Sequence, residues 1–249
     1  MPRVGLFIPS YVDQLAPAVG LATVSVLERA GCEVEYDPDQ TCCGQPFLNL
    51  GLAAEAARLA RRHLERFARY DAVVCPSASC VATVRRHYDA LEVGDDDAGR
   101  RARERTYELS EFLVGTLRRT DLGARFPHRV ALLQSCHGLR ELGLGHPSES
   151  VGAPGAVGAT ERLLRAVDGL ELLFGSRPDE CCGFGGAFSV ELPEVSGRIG
   201  RARLADLAAT GAEFVTATDA SCLLHLDGIR RRQGSGPKAI HLAEILAAG

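Results

Sequence analysis

The sequence predicts an α/β protein built as two pseudo-repeated units, each a small, mostly parallel sheet with flanking helices and with cysteine motifs at the carboxyl ends of its strands. Three observations carry that expectation. Short apolar runs alternate with longer stretches of helical period, a pattern that favours parallel strands joined by right-handed crossovers. The same order of elements occurs twice, and each copy holds a Cys-Cys-Gly triplet, Cys42-Cys43-Gly44 and Cys181-Cys182-Gly183. With 249 residues, 46% of them hydrophobic, the chain can bury a substantial core, in one large domain or in two of about 120 residues.

Residues 4–8 form an apolar run that ends at Pro9 without a small-residue cleavage site, so they read as a first strand and no secretion leader is expected. Residues 16–30 read as an amphipathic helix and residues 33–36 as a second strand. After the first triplet, residues 52–70 place Ala53, Ala56, Ala57, Ala60 and Leu64 on one helical stripe, and residues 71–75 read as a third strand. Pro76-Ser77-Ala78-Ser79-Cys80 opens another helix, with Ser77 placed as its N-cap. Gly94-Asp95-Asp96-Asp97-Ala98-Gly99 reads as a solvated acidic turn leading into a charged helix over residues 100–117.

The second unit repeats the order. It has a strand at 129–133, a helical stretch around 160–167, a strand at 170–174, the second triplet, a helix at 193–210 and a strand at 213–218. Asp219-Ala220-Ser221-Cys222 then mirrors the end of the first unit. Glu108-Leu109-Ser110-Glu111-Phe112-Leu113 echoes His241-Leu242-Ala243-Glu244-Ile245-Leu246. A boundary near residues 119–127 divides the chain into repeats 1–122 and 123–249. The glycines of residues 145–158 lack the Gly-x-Gly-x-x-Gly spacing after a strand, so that stretch reads as a flexible loop near the site rather than a nucleotide-binding one.

Formal net charge is -4, and the basic residues are scattered through helical patterns such as Arg58-Leu59-Ala60-Arg61-Arg62, which argues against nucleic acid as a partner. Nothing approaches the roughly 18 apolar residues of a membrane span, so any membrane association would come through a partner. Nine cysteines without a secretion leader point to a reducing cytoplasm, where thiols serve as metal ligands or reactive groups more often than as disulfides.

The cysteines fall where chemistry is expected. Neighbouring side chains diverge, so two thiolates from one dipeptide reach the same centre only if the backbone turns sharply, and the glycine that follows allows the turn. Cys136 follows the first strand of the second unit, Cys181 and Cys182 follow its second, and Cys222 follows its third at a helix start. These are carboxyl ends of strands, the edge where open parallel sheets place ligands. Helix N-termini and the amides of Gly183-Phe184-Gly185-Gly186 can stabilise converging thiolates and raise a cluster's potential. Four thiolates suit a [4Fe-4S] cluster or tetrahedral zinc. Zinc fits less well, because its structural sites draw paired ligands from Cys-x₂₋₄-Cys knuckles. Cys32 and Cys75, in or beside strands, read as small buried hydrophobes.

Phe7-Ile8-Pro9-Ser10-Tyr11-Val12-Asp13, Cys42-Cys43-Gly44-Gln45-Pro46, Pro76-Ser77-Ala78-Ser79-Cys80, Cys181-Cys182-Gly183-Phe184-Gly185-Gly186 and Thr218-Asp219-Ala220-Ser221-Cys222 together resemble the Cys-Cys-Gly, or cysteine-rich, domain family over nearly the whole chain. The likeness is strongest to its lactate-utilisation branch. The family also includes the Cys-Cys-Gly component of heterodisulfide reductase and the cluster subunits of glycolate and glycerol-3-phosphate dehydrogenases. The resemblance implies an iron-sulfur electron-transfer subunit that acts with companion subunits in oxidising L-lactate to pyruvate, with the related dehydrogenases or a heterodisulfide-reductase-like role as alternatives. It also implies Cys136, Cys181, Cys182 and Cys222 as the main ligands, with Gly183 beside them, and Cys42, Cys43 and Cys80 as a weaker set.

Two departures qualify the match. Ser77 and Asp219 stand first in motifs that the heterodisulfide reductase branch writes as Cys-x-x-Cys, so each half keeps at most the four-cysteine form that suits a cubane cluster. Ser10 stands where the first half normally has its leading Cys, and an alcohol is a harder, less acidic ligand that iron holds poorly. One stable [4Fe-4S] cluster is therefore expected, with a second that is labile or absent. Two readings from other classes remain: a zinc-stabilised binding protein, and a thiol enzyme using His137 beside Cys136 or His225 near Cys222. No local sequence fixes a base against a thiolate, so no residue is assigned a catalytic role.

Overall fold

Four short strands per unit, rather than three, build the two sheets. The computed structural model describes residues 2–145, 147 and 157–249, so most of the glycine-rich stretch expected to form a loop lies outside the described residues. The first unit runs β1 (Arg3–Leu6), α1 (Ser10–Leu15), α2 (Pro17–Arg29), β2 (Glu33–Tyr36), α3 (Gln45–Asn49), α4 (Ala53–Phe67), β3 (Ala72–Cys75), α5 (Ala78–Ala82), α6 (Asp97–Glu104), β4 (Thr106–Glu108) and α7 (Leu109–Glu111). Helices α5 and α7 each continue into a π-helical turn, Thr83–His87 and Phe112–Thr116. The second unit runs β5 (Arg129–Leu132), α8 (Cys136–Arg140), α9 (Ala159–Arg165), β6 (Glu171–Leu173), α10 (Ala187–Glu191), α11 (Pro193–Ala208), β7 (Phe214–Ala217), α12 (Ala220–Gln233), β8 (Lys238–His241) and α13 (Leu242–Ala247).

Both sheets are parallel, with orders β2-β1-β3-β4 and β6-β5-β7-β8. The order reverses between β1 and β3, and again between β5 and β7, which opens a crevice beyond the carboxyl ends of those strands. The charged helix expected over residues 100–117 is instead two helices separated by β4. Thr106, Tyr107 and Glu108 pair with Val73, Val74 and Cys75, and the Arg105 carbonyl accepts the Val73 N–H at 2.8 Å. Pairing at the sheet edge overrides the weak helical preference of this short segment. Glu108 then caps the next helix by accepting from the Ser110 and Glu111 N–H groups, and His241 caps α13 in the same position of the second unit.

Local sequence explains most element ends. Pro17 and Pro193 open α2 and α11, where the missing N–H costs nothing. On α4 the buried stripe is Ala56, Ala57, Ala60, His63, Leu64 and Phe67. Alternation along the strands divides the apolar contacts between sheet faces. Val4, Leu6 and Val74 join Val130 and Leu132 in one core between the sheets, whereas Val73 packs with α4 and Ala131 with α11 and α12. Helices of the two units meet across that central core: α13 of the second unit packs on α2 of the first, and α7 of the first packs on α9 of the second. No helix among the described residues is long and apolar enough to cross a membrane.

Candidate metal centre

Equivalent loops bring equivalent residues to the crevice. Ser10 and Cys136 each lie four residues beyond the ends of β1 and β5, and Cys80 and Cys222 each lie five beyond β3 and β7. The Cys-Cys-Gly loops follow β2 and β6. Instead of a separate pocket for each unit, one cavity of about 350 Å³ lies between them, lined by Ser10, Cys42, Cys43, Cys80, Cys136, Cys181, Cys182 and Cys222. Cys75 and Cys32 are not on its wall: both are buried in the apolar clusters, as their strand positions suggested.

The triplets have the turn that paired thiols require. Gly44 and Gly183 have φ of +90° and +88°, where L side chains are strained. A Cβ on Gly183 would also stand 2.7 Å from the Ser196 carbonyl on α11, and one on Gly44 would stand 3.2 Å from that of Ala56 on α4. The turn aims each glycine N–H back at the first sulfur, Gly44 to Cys42 Sγ at 3.4 Å and Gly183 to Cys181 Sγ at 3.3 Å. The second sulfur of each pair takes the next amide, Gln45 N–H onto Cys43 and Phe184 N–H onto Cys182.

In the second unit the Cys182 and Cys222 sulfurs are 2.8 Å apart. Hydrogen bonds from the Cys136 and Cys182 thiols, outweighing partial burial, hold the Cys181 pKa far below the ordinary thiol value. The same pairing, with burial, pushes Cys136 and Cys182 up. Cys181 is the most exposed of the four. In the first unit the Cys43 thiol and burial push Cys42 up, with the Ser10 hydroxyl acting in the opposite sense. Cys43 links Cys42 to Cys80, and Cys80 turns toward the buried Cys75.

Residues that the sequence did not single out as partners tie the two sets together. Asp219 precedes α12 but makes no side-chain cap there. Its Oδ1 instead accepts from Ser77 Oγ (2.9 Å), Ser79 N (3.0 Å) and Ser79 Oγ (2.8 Å) in the first unit. Three of the N–H groups that open α5 find partners here: Ala78 donates to the Thr218 carbonyl at 3.3 Å, Ser79 to Asp219, and Cys80 to Ser77 Oγ at 3.4 Å. Ser77 is thus the cap that the sequence indicated. At the cavity wall, Gln45 Nε2 meets His137 Nε2 at 3.2 Å, and His137 Nδ1 lies 3.5 Å from Cys136 Sγ. His225 is off the wall; it packs beside Phe184, with ring centroids 5.9 Å apart, and burial lowers its pKa.

The donor set fits a soft metal. Seven sulfurs and loop amides line the cavity, with no Lys or Arg among the described residues on its wall. No three His, Cys, Asp or Glu side chains among the described residues gather tightly enough to hold a single metal ion.

Twin parallel α/β units whose strand-end loops carry paired cysteines to a shared crevice define a cysteine-rich, metal-site class of protein. The sequence profile of that class, the cysteine-rich (CCG) domain, matches residues 4–85 and 130–227. The chain belongs to the CCG cysteine-rich domain family. It is 40% identical over 255 residues to a protein named Lactate utilization protein A from Exiguobacterium sp., covering 100% of this chain and 98% of that one. It is 38% identical to the protein of the same name from Macrococcus caseolyticus, covering 98% and 96%. Among solved structures, a hypothetical protein from Helicobacter pylori shares the fold with a TM-score of 0.63 at 10% identity. That match covers 98% of this chain and 48% of the other.

Proposed function

We propose that this protein is an iron-sulfur electron-transfer subunit of a lactate-oxidising system. The observation that carries the reading is the meeting of Cys136, Cys181, Cys182 and Cys222, from three strand ends, on one wall of the cavity. They would hold a [4Fe-4S] cluster there, with Cys42, Cys43 and Cys80 holding a second, weaker one. Relatives named for lactate utilisation, matched end to end, support the lactate assignment.

A bound cluster supplies one-electron chemistry, whereas lactate oxidation releases two electrons, so the subunit would pass them stepwise between companions. The chain's own residues set the terms of that transfer. Gly183 N–H and Phe184 N–H donate to sulfur, which stabilises negative charge at the site and favours reduction. Cys182 and Cys222 are buried, which limits water at that side. The wall offers no Lys or Arg among the described residues to grip a 2-hydroxy acid carboxylate. Substrate oxidation therefore belongs to a companion subunit in the cytoplasm, and a membrane acceptor would be reached through companions. The two repeats, which we assign to 1–122 and 123–249, each contribute one ligand set.

Anaerobic purification with iron, acid-labile sulfide and zinc analysis tests this. The expected protein is brown, with iron and sulfide in similar amounts, and Cys182→Ala loses the second-repeat cluster. Colourless protein with zinc and no sulfide would refute the assignment.

A further inference from the structure

We propose that Asp219, a second-repeat residue, supplies the fourth ligand of the first repeat's cluster, in place of the thiolate that Ser10 does not offer; this rests on the iron-sulfur reading. Ser10 takes the position held by Cys136 in the other repeat, and its hydroxyl is engaged with the Cys42 thiol. Cys75 cannot fill the gap, because it is fully buried with its thiol against Cys80 and is not on the cavity wall. Asp219 is on that wall.

Although only 1% exposed, Asp219 uses one oxygen for all the side-chain hydrogen bonds described above, and every donor is in the first repeat. Tyr11, the neighbour of Ser10, enters the same network through a 2.9 Å hydrogen bond with Ser77 Oγ. The second oxygen, Oδ2, is buried and has no hydrogen-bond partner among the described residues. Leaving a carboxylate oxygen buried and unpaired is costly. An iron ion within reach of that oxygen would remove the cost. The second repeat already has four thiols and needs no fifth donor, whereas the first has three on the wall. Oxygen is a harder donor than sulfur, so this cluster is the weaker of the two, in line with the asymmetry that Ser10 introduces.

The test compares anaerobically reconstituted full-length wild type with Asp219→Asn, Ser10→Cys and the double variant, by iron and sulfide content and low-temperature EPR. Asparagine keeps an oxygen that can accept from Ser77 and Ser79 but removes the anionic donor. Wild type is expected to hold about eight irons per chain, as two four-iron clusters. Asp219→Asn is expected to lose about half of them, and Ser10→Cys in the same background to restore them. A thiol at position 10 would not repair a general loss of structure. Full iron with an unchanged EPR spectrum in Asp219→Asn would overturn the proposal, as would failure of Ser10→Cys to restore iron, or a wild type holding only one cluster. Absence of iron and sulfide from all four proteins would defeat the iron-sulfur reading itself, and the ligand assignment with it.

Discussion

Glu108 shows what a single buried group contributes. Its side chain is fully buried, one oxygen accepts from Ser110 and Glu111, and the other has no partner among the described residues. Burial raises its pKa from 4.5 to about 8, against the opposing effect of those hydrogen bonds. The folded state therefore binds this proton more tightly than the unfolded chain does. The associated stability is fully present below pH about 4.5 and is lost as pH rises through about 8. Glu108→Gln keeps an acceptor for the cap and is expected to flatten that decline, so the variant outlasts wild type in urea at pH 9. Midpoints measured between pH 5 and 9 check this. Residue roles set by near neighbours in sequence were legible in advance: Ser77 as a cap, and glycine as the turn after paired cysteines. Asp219 was not, because its partner Ser79 lies 140 positions away.

Elements are positioned by a few tight contacts. The loop before the second triplet is pinned to α11 by the buried pair Arg203 and Asp206, 2.7 Å apart. Arg203 also donates to the Arg177 carbonyl at 2.6 Å, and Asp206 accepts from Ser176 N–H at 2.9 Å. Gly183 sets the triplet itself against the same helix. Gly183→Ala is expected to cost about 1–2 kcal/mol from the left-handed backbone, and about 1–3 kcal/mol more from crowding Ser196 and Ile199. Gly44→Ala meets Ala56 at a milder 3.2 Å and should lose chiefly the backbone share. Urea unfolding of the metal-free variants should rank them in that order. Long helices and apolar strands could be read from periodicity, but β4 and β8 could not. Neither holds a continuous apolar run, with polar or charged residues in Thr106–Glu108 and at both ends of Lys238–His241, and each pairs with a neighbouring strand.

The repeat was visible in the sequence as two triplets in matching order, and both sheets follow it. The single central core and shared cavity were not visible, since they arise from contacts between distant parts of the chain. That joint core means that each half buries part of its apolar surface against helices of the other. Residues 1–122 or 123–249 made alone would expose Val4, Leu6 and Val26, or Val130, Leu132 and Leu163, all now buried, and are expected to be insoluble or molten. The chain joins the two halves through only one connection, near residues 117–128. Severing it would leave fragments with complementary sticky faces. Co-expressed from separate genes, they are expected to find each other and co-elute as a noncovalent heterodimer, which size-exclusion chromatography of the pair beside each fragment alone would reveal.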